Sequence, residues 1–86
     1  MTWEQAVEEA DRIIDSNDPI PYDPPIVRKA FGFVMVQIGV HAGMIPREEA
    51  KRLYATLEKI HVDSPEYDDE IEDFYDELES FDISEE

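Results

Sequence analysis

The fold turns on residues 24–42, PPIVRKAFGFVMVQIGVHA. Apolar side chains recur almost all round a helical projection of this stretch: Ile26, Val27, Ala30, Phe31, Phe33, Val34, Met35, Val36, Ile38 and Val40. A helix with that pattern is buried on most of its sides. Val34, Val36, Ile38 and Val40 also alternate, as strand residues do. A strand needs a partner, and the chain holds no second strand candidate, so a strand here requires pairing between two copies in a homodimer. Helix is therefore expected, with Asp23 as N-cap and Gly43 just past the end. Gly32 and Gly39 lie seven residues apart and share a face on which a neighbour can approach closely.

Proline punctuates what lies outward. Pro19, Pro21, Pro24 and Pro25 mark 16–25 as a connector, and Pro46 and Pro65 each open a further periodic segment. Towards the N-terminus, Trp3, Ala6, Val7, Ala10, Ile13 and Ile14 keep helical spacing, and Thr2 with Gln5 fits a capping box. Towards the C-terminus, Ala50, Leu53, Tyr54, Leu57, Ile60 and His61 form one face of 46–61. Its other face is charged, with Glu48 and Arg52 placed as an i, i+4 ion pair. In 65–79, with Ser64 as N-cap, the apolar stripe is Tyr67, Ile71, Phe74, Tyr75 and Leu78. The predicted fold is all-α: a single acidic domain, 1–86, built as a compact bundle of about four helices around a buried second helix. The helices are expected at about 2–15, 24–42, 46–61 and 65–79, with a frayed tail at 82–86. At 86 residues there is no room for a second domain.

Composition excludes several functions. The chain has 23 acidic and 7 basic residues, no cysteine, and a net charge of −16. A direct nucleic-acid binder needs clustered Lys and Arg, which are missing. A disulfide scaffold and a cysteine-ligated zinc site are impossible without cysteine. The N-terminus has no basic and apolar leader, and the longest apolar run, 30–45, is interrupted by Gln37 and His41 and is too short to span a bilayer. The expected location is the cytoplasm, the host's if the chain is phage-encoded.

Catalysis is not expected. Ser16, Ser64, Ser80 and Ser84 read as connector, cap or tail residues, and no Gly-x-Ser-x-Gly occurs. His41 reads as a cation at a helix C-terminus, and His61 as a residue at a core edge. Glu58 and His61 keep the Glu-x-x-His spacing of di-iron bundles, but that chemistry needs a second such motif and two further glutamates. The acidic tail lacks a calcium loop and its glycine, and no glycine-rich phosphate loop occurs. Neither cofactor nor metal is expected.

The charge is not evenly spread. Residues 1–62 carry ten acids and seven bases, net −3, whereas 63–86 carry thirteen acids and no base, net −13. Glu66, Asp68, Asp69, Glu70, Glu72, Asp73, Asp76, Glu77 and Glu79 fall on the fourth helix. Over about 21 Å they give one charge per roughly 2.3 Å, between the densities of duplex DNA and of one strand. Asp69–Asp73, Glu72–Asp76 and Asp73–Glu77 are like-charge i, i+4 pairs, which destabilise a helix. Asp76, Glu77 and Glu79 also oppose the dipole at its C-terminal end. A solvated face explains charge but not this one-sided arrangement, since mixed signs serve solubility well. The expected function is a non-enzymatic inhibitor that docks these carboxylates into the Arg- and Lys-lined groove of a basic nucleic-acid-binding protein such as a nuclease. The alternative is an antitoxin, immunity protein or chaperone-like module for a basic partner. Tyr67, Phe74, Tyr75 and Phe81 are expected in the core; any that is exposed would supply an apolar anchor within the contact.

By size and charge placement the chain resembles the small acidic proteins with which phages and mobile elements inhibit host nucleases, namely anti-restriction, anti-CRISPR and other DNA-mimic inhibitors. That likeness carries no motif and assigns no residue. Asp63-Ser64-Pro65-Glu66 is similar to a stretch of nuclease-colicin immunity proteins, whose Asp-Leu-Ile-Tyr-Tyr-Pro turn this chain lacks.

Overall fold

A computed structural model describes residues 1–19 and 24–81. Four helices follow in order: α1 (Trp3–Asp15), α2 (Pro25–His41), α3 (Arg47–Lys59) and α4 (Tyr67–Glu79). The all-α bundle expected from the periodicity is what forms. Residues 25–41 are helix rather than strand, so the alternative of strand pairing between copies falls away. The expected N-cap Asp23 and the tail 82–86 lie outside the described residues, and Pro24 occupies the N-cap position of α2 in extended conformation. A residue that precedes proline is pushed towards that conformation.

Helix α2 is the shared wall of two cores. On one side Ala6 and Ala10 of α1 meet Val27, Ala30, Phe31 and Val34. On the other, Val36 joins Ile45, Leu53, Leu57, Ile60, Tyr67, Ile71, Phe74 and Leu78 of the α3–α4 half. Phe33, Met35 and Tyr75 touch both. Alanines on α1 let its backbone come close to α2 without a bulky layer between. On the opposite flank Gly32 plays that part. A Cβ added there would lie 2.7 Å from Cε2 of Phe74, a ring 1% exposed.

The helix ends follow local chemistry. Thr2 and Gln5 close a reciprocal capping box at α1. At its other end Asn17 takes φ 64°; its N–H donates to Ile14 O and that of Asp18 to Ile13 O. Gly43, φ 76°, ends α2 the same way, with Gly43 N–H on Val40 O and Met44 N–H on Gly39 O. Both are Schellman closures, which need a left-handed residue that Asn and Gly adopt most readily.

Two boundaries differ from expectation by more than one residue. Helix α3 stops at Lys59, because Ile60 adopts an extended conformation that buries it in the core, leaving His61 exposed beyond the helix. Helix α4 starts at Tyr67, with Glu66 and not Ser64 at the N-cap. Ser64 instead closes the preceding turn: its hydroxyl accepts from Glu66 N–H at 3.1 Å and its carbonyl from Tyr67 N–H at 3.1 Å. No described helix is long and apolar enough to cross a membrane.

Candidate acidic interface on helix four

The inward stripe of α4 is Tyr67, Ile71, Phe74 and Leu78, all buried. Their i, i+4, i+7, i+11 spacing fixes which way the remaining side chains point. At about 100° per residue, Asp69, Glu72, Asp73 and Asp76 fall opposite the core, and all four are exposed. Asp68 and Glu79 lie on one flank, also exposed; Glu70 and Glu77 lie on the other, half-buried towards the body. Glu66 is exposed at the N-cap.

Two phenols hold the helix in this rotation. Tyr67 OH donates to Pro25 O at 2.5 Å, and Tyr75 OH donates to Arg28 O at 2.6 Å. Both acceptors lie in the first turn of α2. Burial pushes the Tyr67 phenol up to about 12 and raises that of Tyr75 as well, so both stay protonated donors at neutral pH.

The carboxylates are not equivalent. Arg52 of α3 pairs with Glu77 and with Glu49 of its own helix, in place of the expected Glu48. The hydrogen bonds that Arg52 donates to Glu49, and then to Glu77, raise the guanidinium's pKa further. Buried Arg28 reaches Asp68 at 3.8 Å, where the carboxylate stays open to solvent and the attraction is weak. Among the described residues no cation pairs with Asp69, Glu72, Asp73 or Asp76. The nine expected acids thus sort into an unpaired outer ridge of four, two that face arginines of the body (Glu77 closely, Asp68 weakly), and three at the margins. The last turn of α4 contains no basic residue to offset the dipole.

None of the four aromatic residues expected on or beside α4 is exposed. Tyr67 and Phe74 are buried, and Tyr75 and Phe81 pack partly buried against the core. All four rings hold the ridge in place and none is presented with it.

A second acidic stripe escapes the summed charge of 1–62. Glu4, Glu8, Asp11 and Asp15 repeat at i, i+4, i+7, i+11 on α1, all exposed. Residues 1–19 carry six acids and one base, net −5; 24–62 carry three acids and six bases, net +3, which offsets most of the former in the total. Arg12 pairs with Glu9 on the flank of that stripe. Glu58 and His61 are both exposed, and among the described residues no cluster of His, Asp or Glu could hold a metal ion. Comparison with known proteins finds no matching family model, curated protein or solved structure.

Proposed function

We propose that the protein is a non-enzymatic inhibitor of a basic nucleic-acid-binding protein, of the kind exemplified by a defence nuclease of restriction or CRISPR type. Helix α4 would dock as a DNA-like rod of charge. The observation that carries this is the unpaired ridge Asp69, Glu72, Asp73, Asp76 on a helix rigidly seated by Tyr67 and Tyr75. Carboxylates on one helix side recur at steps of about 4.5–6 Å, a spacing that Arg and Lys arrays built for phosphates can engage with charge-assisted bonds. Such an array, left unneutralised at a cost to helix stability, has a use in capturing cations from elsewhere.

The test begins with affinity capture from a host lysate and elution by salt, followed by kinetics on the recovered partner. Association should slow steeply as salt rises, because exposed charges are screened. Charge reversal at Asp69, Asp73 and Asp76 should slow association, whereas reversal at Glu8, Asp11 and Asp15 of α1 should have a smaller effect. DNA or RNA should compete with the protein for the partner. Simultaneous binding of nucleic acid would instead favour the antitoxin or immunity-type module, and reversals on α4 that leave affinity unchanged would overturn the inhibitor reading.

A further inference from the structure

One concavity lies away from the acidic ridge. A cleft of about 270 Å³ opens between α1, α2 and α3, lined by Trp3, Lys29, Phe33, Tyr54, Leu57 and Glu58. Its wall is a chain of rings. Trp3 and Phe33 meet edge to face at 5.6 Å, and Phe33 and Tyr54 are tilted at 5.3 Å. Trp3 is 38% exposed although it sits on the apolar face of α1. The rings are thus ordered by one another while leaving apolar surface open to solvent.

The polar groups of the cleft set its preference. The Lys29 ammonium lies 5.8 Å from the centre of the Trp3 ring. In a chain with 23 acids, no described carboxylate comes within 4.0 Å of it. Desolvation draws its pKa down, and the field of Glu58 draws it partly back. A cationic guest would have to displace Lys29 from the Trp3 ring and sit beside like charge. A carboxylate would instead find a partly desolvated ammonium with no carboxylate within 4.0 Å, and ring surface beside it. None of the α4 acids lines the cleft. The volume is just below the usual range for drug-sized ligands, so the guest is small.

We propose that this cleft is a binding site for a small aromatic carboxylate of one or two rings, with Lys29 holding the carboxylate and Trp3, Phe33 and Tyr54 holding the ring. The site is separate from the acidic ridge and does not depend on its role.

The experiment is an NMR titration of the isotope-labelled full chain with three probes that share one ring system: naphthylacetate, naphthylmethanol and naphthylmethylamine. The chain has a single tryptophan, so the Trp3 indole N–H gives an unambiguous signal inside the cleft. Naphthylacetate should shift that signal and the Tyr54 and Leu57 resonances. It should bind about tenfold tighter than the alcohol, the scale of one hydrogen bond to a charged group, and the amine should bind weakest. Lys29→Met should abolish the preference for the acid and leave the alcohol's affinity intact. Glu58→Gln, at an exposed position, should tighten the acid a few-fold and serves as the second variant if Lys29→Met fails to fold. The proposal is overturned if the amine binds as tightly as the acid, if the preference survives Lys29→Met in a folded chain, if Glu58→Gln leaves the acid's affinity unchanged or weaker, or if no probe shifts Trp3.

Discussion

Arg52 on α3 and Glu77 on α4 are joined by an ion pair across 25 residues of sequence, and Glu49 holds the same guanidinium from the other side. The pair neutralises α4 only along the edge that faces the body. Its two side chains are 49% and 38% exposed, so solvent screens it. Arg52→Gln should therefore lower the melting temperature only slightly, and the difference should shrink as salt rises. Thermal melts at low and high ionic strength check this; a large, salt-independent loss would mean that Arg52 acts through packing.

Gly32 and Phe74 form a contact that tolerates no added carbon. Gly32→Ala gains about 1 kcal/mol in helix propensity but overpacks a filled site, at about 1–3 kcal/mol. The ring cannot retreat, because Phe74 is buried on all sides. Net destabilisation is expected, and it should be smaller when Phe74→Leu is also present. Denaturant unfolding of the two single variants and the double variant measures that coupling.

Asp76 separates a binding face from a merely solvated one. Asp76→Lys removes its like-charge contact with Glu72, about 0.2–0.5 kcal/mol, and places a cation near the negative end of α4. The variant should melt higher than the parent and associate more slowly with a basic partner. If it gains stability and keeps its association rate, the ridge only solvates.

The phenols predict an alkaline limit. Burial holds the Tyr67 phenol at about 12 and also raises Tyr75, while an unfolded tyrosine titrates near 10. Above pH ~10 the unfolded chain loses phenolic protons that the native chain keeps, so stability falls as pH rises towards 12. Below 10 this contribution is constant. Circular dichroism melts across this range should show the decline, with phenolate absorbance rising together with unfolding.

The bundle was legible because residues 24–42 are apolar on nearly every side, which only a central helix satisfies, and because α1, α3 and α4 each show one stripe. The ends at 60 and 64–66 were less so. Helical spacing runs through Ile60, but burying its side chain takes an extended backbone, and Ser64 suits a turn as well as a cap. The outer ridge could be read from the spacing of α4. The ties of Glu77 and Asp68 could not, since Arg52 and Arg28 reach them only through tertiary packing. The α1 stripe was readable at i, i+4, i+7, i+11 yet vanished in a sum that included the bases of α2 and α3. The aromatic cleft depends on three helices converging, which no local pattern encodes.

Because α2 separates two clusters, the molecule has two places at which to come apart. The α1 side rests on two alanines and partly buried aliphatic residues, whereas the α3–α4 side holds Leu53, Ile71 and Phe74. Amide protons of α1 should therefore exchange through a lower-energy opening than those of α4. In that opening the carboxylate helix stays seated while Phe31 and Val34 are bared to solvent, so the acidic face outlasts the helix on the far side of α2.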